Sequence, residues 1–463
     1  MRKEPLRHGE EDAPRHLPAE RGGDNEIMTD TIFALATPPG RGAIAVLRLS
    51  GPAVESALNA MGAGRLKPRM ASVRNLTHEG AHIDQALVLR FAAPHSYTGE
   101  DAAELHLHGG RAVVEAASQA LIALGLRPAE PGEFTQRAFQ NGRMDLAQAE
   151  AVADLIDAET TAQARQALGQ LDGQLSATYA GFRRDLLHAL ALVEAEIDFP
   201  DEEVPDNLAQ TAGPLLQRLA DDLQRAVAAG RRGERVRDGY RIVLIGETNA
   251  GKSSLFNALI EREAAIVTPI AGTTRDVLDA DLVIGGYAVT LSDTAGLRDS
   301  DDPVEAEGVR RARGRAEEAE LRLWVRAPGD PDGAAADYVR PADLIVANKS
   351  DVGGTGSWRP DLEQIDVSSR TGEGLSALHD WIAQRLARDL SGADFPAITR
   401  ERHRLRLTEA LEAVEAARRA LGVAPEMAGD DLRRAAAALG RVTGEIGVED
   451  VLGEVFSTFC IGK

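Results

Sequence analysis

The sequence predicts a multidomain protein of mixed α/β and α class. An α+β domain comes first, then a discontinuous helical-bundle domain, with a doubly wound α/β domain inserted between its two pieces. Three observations predict this. Apolar residues in 31–142 follow the short alternating runs of strands separated by turn-rich loops. The period changes to 3.6 near Met144 and returns to it after Phe395. Between Arg241 and about Asp389 the order strand, loop, helix repeats, which is the pattern of a parallel sheet.

Element by element, Ile32 to Ala36 and Ala43 to Ser50 read as strands flanking the loop Thr37-Pro-Pro-Gly-Arg-Gly42. Gln85 to Phe91 is a third strand. Ala103 to His108 is a fourth, with Glu104, His106 and His108 on one face and Leu105 and Leu107 on the other. A helix is expected after Gly109-Gly110. Leu146, Ala149, Ala153 and Ile156 then mark one helix. The stripe Leu168, Leu171, Leu175, Tyr179, Phe182, Leu186, Leu190, Val193, Ile197 marks a longer one, stopped by Pro200. A further helix opens with Pro214 in its first turn and is expected to end near Gly230. After the α/β segment, Leu407, Leu411, Val414 and Leu421, and then Leu439 and Val442, line two closing helices. The implied boundaries are 1–28 (a disordered extension, or an early start codon), 29–143, 144–237, 238–389 and 390–463.

Composition narrows the function. Among 463 residues, 52 Lys and Arg stand against 73 Asp and Glu, a net charge of −21, which excludes a generally basic nucleic-acid coat. Any contact with nucleic acid is local or made through a partner. The single cysteine, Cys460, excludes a disulfide framework and a multi-cysteine zinc site. No apolar run approaches the length of a membrane span, and residues before Met28 lack the apolar core of a secretory signal, so a cytoplasmic location is expected.

The strongest chemical signal is Gly246-Glu-Thr-Asn249-Ala250-Gly251-Lys252-Ser253-Ser254, which follows the apolar strand Arg241 to Ile245 and opens a helix. Glycines let backbone N–H groups close around phosphates, and the helix N-terminus adds its dipole. Lys252 neutralises phosphate charge, and the Ser253 hydroxyl is placed to ligate Mg²⁺. Three further motifs specify guanine. Asp293-Thr294-Ala295-Gly296 ends a strand, where a carboxylate acts on Mg²⁺ through water and a glycine N–H senses the γ-phosphate. Asn348-Lys349-Ser350-Asp351 supplies a carboxylate for guanine N1–H and the exocyclic amine. Ser368-Ser369-Arg370 supplies a backbone N–H for O6.

The position after Asp-x-x-Gly is Leu297, so the glutamine that orients water in Ras-type enzymes is missing. Glu305, in the charge-rich segment that follows, is the candidate for that role; a solvated loop charge is the competing reading. The segment Thr268-Pro269-Ile270-Ala271-Gly272-Thr273-Thr274 falls where a first switch belongs, and one of its threonines should reach Mg²⁺. Together with Asn249 it resembles the potassium-activated GTPases of the TrmE/Era/EngA class. There K⁺ supplies the positive charge that an arginine finger would bring to the transition state.

Outside this domain, Thr37-Pro-Pro-Gly-Arg-Gly42, Tyr97-Thr-Gly-Glu-Asp101, His108-Gly-Gly110, Pro131-Gly-Glu-Phe-Thr135, Asn141-Gly-Arg143, Asp145-Leu-Ala-Gln-Ala-Glu-Ala-Val152 and Asp198-Phe-Pro-Asp-Glu-Glu203 resemble the MnmE (TrmE) family. So does the ending Phe459-Cys460-Ile461-Gly462-Lys463. The resemblance covers essentially everything from Asp30 onward. It implies a Ras-like GTP-binding domain and an N-terminal domain that dimerises and holds a tetrahydrofolate (5-formyl or methylene). It also implies a GTP-hydrolysing tRNA-modification enzyme, a homodimer working with an FAD-dependent partner subunit as a heterotetramer. That pair would add an aminomethyl or carboxymethylaminomethyl group to C5 of the wobble uridine.

By the same resemblance Arg48, Glu104, Arg143 and Lys463 contact the folate, and Cys460 lies beside it. Asn249, Thr268, Ile270 and Thr273 surround K⁺, Ser253 and Thr274 hold Mg²⁺, and Glu305 positions the water. Folate carries a carboxylate tail, a sensible partner for Arg48 and Arg143, and Glu104 would accept from the pterin N–H edge. Read from the residues alone, Arg48 is equally a surface cation, Glu104, His106 and His108 a solvated strand face, and Cys460 an inert apolar residue. Two positions depart from the family pattern, Pro269 and Thr248; both act through backbone, so the K⁺ site is expected to persist. The stretch Val325 to Asp330 lacks an expected Asp, and the connection from there to Asn348 is short. A ribosome-assembly GTPase would explain the nucleotide motifs but not the N-terminal domain. A GTP-switched scaffold without chemistry is the other alternative.

Overall fold

The computed structural model describes residues 30–198, 208–263, 279–293, 314–330, 334–353, 359–392, 398–445, 455, 456, 459 and 462. The chain forms two compact units. Among the described residues the first comprises 30–96, Glu100–Ala129 and Gly462, and the second the remainder.

The first unit is built on a six-stranded sheet in the order β3-β4-β5-β2-β1-β6. Its strands are β1 (Ile32–Leu35), β2 (Ile44–Ser50), β3 (Ser72–His78), β4 (Ala81–Phe91), β5 (Ala102–His108) and β6 (Arg127–Pro128). All neighbours are antiparallel except β1 and β6. Helices α1 (Val54–Ala60) and α2 (Arg111–Ala123) contribute Leu58 and Leu121 to a core shared with Leu47, Leu49, Leu105 and Leu107. The expected alternation in β5 holds: Leu105 and Leu107 are buried, and Glu104 and His106 are half-exposed. The expected strand at Gln85 begins earlier, at Ala81, and pairs with β3, for which the sequence carried no clear signal. β3 is an edge strand whose Val73 is exposed, so its pattern lacks a clean apolar face.

In the second unit, helices on either side of the α/β segment share one core. They are α3 (Glu133–Gln140), α4 (Leu146–Ile156), α5 (Thr161–Leu171), α6 (Gln174–Asp198) and α7 (Gly213–Asp238), followed after the insertion by two more helices. Tyr179, Leu186 and Val193 of α6 and Leu216 and Leu223 of α7 pack with Leu407 and Val414 and with Leu432 and Leu439. Those last four belong to the closing helices, Glu401–Ala420 and Pro425–Thr443. Burying each such leucine contributes about 1.5–3 kcal/mol, which favours bringing the two pieces together.

Two helix expectations are corrected. The long stripe starting at Leu168 is two helices, because Gly173 takes φ +83° between α5 and α6, and Leu168 is exposed. The helix expected to stop near Gly230 continues to Asp238. Gly230 is instead a point of close approach: a Cβ there would lie 2.7 Å from Ile398 Cδ1.

The inserted sheet runs β12-β11-β10-β7-β9-β8. Its strands are β7 (Tyr240–Ile245), β8 (Asp279–Ile284), β9 (Tyr287–Asp293), β10 (Leu321–Arg326), β11 (Leu344–Ala347) and β12 (Glu363–Asp366). Helices α8 (Lys252–Glu263) and α9 (Leu375–Asp389) add Leu255, Leu259, Leu378 and Ile382 to its core. It is parallel except at β8, which pairs antiparallel with β9. Gly285 and Gly286, at φ +61° and +85°, form a two-residue hairpin that leaves no room for a crossover helix. Between β10 and β11 the described residues hold only a short 3-10 turn, Ala334–Tyr338, in line with the short connection read from the sequence. The closing helices become α10 (Glu401–Ala420) and α11 (Pro425–Thr443). Among the described residues no helix is long and apolar enough to cross a membrane.

Candidate functional site: a closed loop at a helix N-terminus

β7 delivers the chain into the loop Gly246 to Ser253, and α8 begins at Lys252, so the loop caps a helix N-terminus. Gly251, at φ +96°, lies so close to Asn348 that a Cβ would stand 2.2 Å from its Nδ2. That amide donates to Ala250 O at 3.0 Å, while its Oδ1 accepts from Ser369 N and Oγ at 3.1 and 2.9 Å. Asn348, fully buried, thereby fastens the segment that carries Ser369 to the loop after β7. Lys349 Nζ adds a bond to Asn249 O at 2.6 Å, with Asn249 at φ +69°.

Lys252 is buried, and its ammonium donates to Gly246 O and Glu247 O, both at 3.0 Å. Burial holds it below its ordinary pKa, with Asp293, Glu247 and Asp330 acting in the opposite sense. Ser253 Oγ donates to Asp293 Oδ2 at 2.6 Å. Asp293 is buried, and its Oδ1 has no partner among the described residues. A carboxylate oxygen buried without a donor, beside a hydroxyl at the mouth of a phosphate loop, fits a hydrated divalent cation.

Beside Asn348, Asp351 Oδ1 accepts from Ser368 Oγ at 2.7 Å and Oδ2 from Arg370 at 2.5 Å. The Ser368 hydroxyl, and after it Arg370, hold the carboxyl below the usual range against some desolvation. Asp351 is thus an ionised acceptor at the pH of the cell.

The first unit brings Arg48 and Glu104 directly opposite each other on β2 and β5. Arg48 Nε and NH2 both donate to Glu104 Oε1, at 3.2 and 3.1 Å, and His106 Nε2 lies 3.4 Å from Oε2. The two residues pair with each other, a relationship that separate assignments to folate tail and pterin did not foresee. Signal existed, since both sit on the polar face of their strands, but register cannot be read from one strand. Gly462, at φ +99°, meets β1: a Cβ would lie 2.5 Å from Leu35 O. Arg143, exposed, follows α3 in the second unit, with its N–H on Ala138 O at 2.8 Å. Sequence reasoning missed Asp84, buried on β4, which accepts from His108 N and lies 2.8 Å from His108 Nδ1. Thr268, Pro269, Ile270, Ala271, Gly272, Thr273, Thr274, Thr294, Ala295, Gly296, Glu305, Cys460 and Lys463 lie outside the described residues.

Two family models match in series: the GTP-binding protein TrmE N-terminus over residues 31–143, and the MnmE helical domain over 146–460. The chain belongs to the MnmE (TrmE) family. It is 54% identical over 452 residues to the tRNA modification GTPase MnmE of Caulobacter vibrioides, covering 94% of this chain and 100% of that one. The corresponding protein of Phenylobacterium zucineum is 52% identical over 450 residues, with 94% and 100% covered. That of Hyphomonas neptunium is 49% identical over 444 residues, with 94% and 99% covered. The family's activity and the closed phosphate loop agree: this is a GTP-hydrolysing enzyme of tRNA modification.

Proposed function

We propose that this enzyme works with an FAD-dependent partner subunit to add an aminomethyl or carboxymethylaminomethyl group to C5 of the wobble uridine of certain tRNAs. Its GTP hydrolysis would be driven by K⁺-dependent pairing of the α/β domains within a homodimer. Support comes from the family and from one feature of the site: Ser253 and the orphaned oxygen of Asp293 stand together at the phosphate loop. In this reading residues 29–143 form the folate-binding and dimerisation domain, 144–237 and 390–463 the helical domain, and 238–389 the GTPase domain.

The chain's own residues divide the work. Lys252 exchanges its two carbonyl partners for phosphate oxygens. Asp351 reads N1–H and the exocyclic amine of guanine, and the Ser368 to Arg370 backbone meets O6. Ser253 and Thr274 hold Mg²⁺, and Asn249, Thr268, Ile270 and Thr273 hold K⁺. When bound, these cations supply positive charge against the phosphates as the transferred group loosens. Glu305 orients the attacking water. Arg48, Glu104, Arg143 and Lys463 bind the tetrahydrofolate, which supplies the one-carbon unit, and Cys460 lies beside it. Within the Arg48–Glu104 pair, Glu104 Oε2 has acceptor capacity for a pterin N–H edge, its contact among the described residues being the 3.4 Å one to His106.

The test is reconstitution. The full chain, the flavoprotein partner, GTP, methylene-tetrahydrofolate and unmodified tRNA are combined, and the digested nucleosides are weighed by mass spectrometry. A C5-modified wobble uridine that disappears when GTP is withheld is the expected result. Unmodified uridine with GTP turnover intact would leave the scaffold role in its place.

A further inference from the structure

The α/β domain meets the helical domain at a place no motif marks. At the Gly285-Gly286 turn between β8 and β9 stands the start of α5: a Cβ on Gly286 would come within 3.4 Å of Thr161 Oγ1. Ala162 packs against the apolar core of the α/β domain. The same helix is tied to the end of α7, because Gln163 Nε2 donates to Arg237 O at 2.9 Å and Gln166 Nε2 to Gly233 O at 3.2 Å. Gln163 Oε1 accepts from Thr160 N at 3.0 Å, closing the capping box that starts α5, so its carboxamide is held at both ends.

These ties reach the site from two sides. α7 is separated from β7 only by Gly239, and β7 leads into the phosphate loop. β9 runs from the hairpin to Asp293, about 20 Å away at strand rise. Among the described residues β8 is an edge strand whose one sheet partner is β9, so no described strand braces the hairpin from outside. On its other side Gly285 meets Ala383 of α9. α5 therefore bridges the strand behind the phosphate loop and the far end of the strand that carries Asp293. A shift of β9 along its axis changes the 2.6 Å contact between Asp293 and Ser253.

We propose that α5 is a positioning element for GTP hydrolysis: through Ala162 and Gln163 it sets β9 along its length, and with it the approach of Asp293 to Ser253. Movement of the helical domain would thereby tune turnover without touching nucleotide. The inference rests on the reading of Ser253 and Asp293 as the Mg²⁺ end of the site.

The full chain is compared with Ala162→Glu, which puts a charge into the apolar contact, and with Gln163→Leu, which cuts the tie to Arg237. Both should lower kcat about tenfold while GDP affinity changes by less than about twofold. The Mg²⁺ concentration for half-maximal turnover should rise. Leu168→Ala, on the exposed side of α5, should alter none of these. If Ala162→Glu does not fold, Gln163→Leu decides the matter. A kcat within about twofold of the parent in folded variants overturns the proposal, as does an equal fall in kcat and GDP affinity, which reports general damage. Ser253→Ala is measured alongside. An unchanged Mg²⁺ dependence in that variant overturns the assignment of the site itself, and the proposal with it.

Discussion

Asp154 Oδ1 accepts hydrogen bonds from Arg400 at 2.6 Å and from Arg237 at 2.9 Å, and these two arginines stand at the two crossings between the helical and α/β domains. Arg237 lies in the last turn of α7, where the chain leaves the bundle; Arg400 caps α10, where it returns. One carboxylate on α4 thus gathers both strands of the connection. Asp154→Ala strips both guanidiniums of that acceptor. Arg237 retains Asp238 and is 30% exposed, so the loss is expected at about 2–3 kcal/mol, less than for a fully buried pair. Urea unfolding measures it, and amide exchange at 237–240 and 400–404 should quicken. Stability within about 0.5 kcal/mol of the parent would mean that the crossings are held elsewhere.

A neighbouring group makes the bundle sensitive to acid. Glu150, buried on α4, accepts from Arg402 at 2.6 and 2.7 Å and from the His403 ring at 3.1 Å. Burial holds the His403 imidazole below its ordinary pKa, against the pull of Glu150. Below about pH 6.5 the unfolded chain gains a proton that the folded one refuses, so stability falls as pH drops, by up to about 1.4 kcal/mol per unit. Burial raises the Glu150 carboxyl, but His403 and Arg402 outweigh it and hold the group well below the usual range. Its contribution is lost at still lower pH. His403→Gln keeps a donor for Glu150 and removes the titration. The parent should lose more stability than the variant between pH 7 and 5.5; identical slopes would show that folding leaves the His403 pKa unshifted, and a parent that gains on the variant as pH drops would show that His403 is charged in the folded protein.

What was legible follows the range of each interaction. The phosphate loop, Asn348 to Asp351 and Ser368 to Arg370 are local signatures, and they follow β7, β11 and β12, strands whose parallel arrangement the repeating pattern predicts. Arg400 and Asp154 are 246 positions apart, and Arg402 and Glu150 are 252 apart, so no window shows them as a pair. Gly230 misled for a different reason. A glycine ends a helix or admits a neighbour, and only the presence of Ile398 tells which. β3 escaped because Leu76 is its one buried residue while Val73 is exposed, so no alternating apolar face shows in its sequence.

Beneath the thin connection between β10 and β11 lies a buried ion pair, Arg322 and Asp343, at 2.7 Å. It is satisfied on all sides: Arg322 NH1 donates to Ala316 O and Ala319 O at 3.1 and 2.8 Å, and Asp343 also accepts from Arg322 N and Arg340 N at 3.1 and 2.5 Å. Asp343→Ala leaves a buried guanidinium without its counter-charge and should destabilise the domain by about 3–5 kcal/mol. Arg322→Met combined with Asp343→Leu should recover most of that. Chemical unfolding of the four proteins in the cycle gives the coupling energy, and a double variant as weak as the single one would mean that the pair fixes the fold locally.

Cation dependence separates the proposed hydrolysis from that of Ras-type enzymes. Asn249 sits in the phosphate loop with positive φ and its carbonyl held by Lys349. With Asn249 in the K⁺ role proposed for it, GTP turnover should be strongly faster in KCl than in NaCl at equal ionic strength and saturating Mg²⁺, and Asn249→Ala should erase most of that difference. Equal rates in the two salts would remove the K⁺ assignment and leave the chemistry to Glu305 and Lys252.

Base recognition gives the sharpest chemical test. Asp351 presents two acceptor oxygens, oriented by Ser368 and Arg370, and guanine offers two donors on one edge. In Asp351→Asn one oxygen becomes an NH₂ group that faces the exocyclic amine, donor against donor. GTP affinity should fall by about a hundredfold or more, since a buried polar edge left unpaired is strongly rejected. Xanthosine triphosphate carries a carbonyl where guanine carries that amine, so the new amide can donate to it while Oδ1 still accepts from N1–H. The variant should bind and hydrolyse xanthosine triphosphate better than GTP. Competition with a fluorescent guanine nucleotide reads the switch directly, and an unchanged preference for GTP would mean that Asp351 does not face the base.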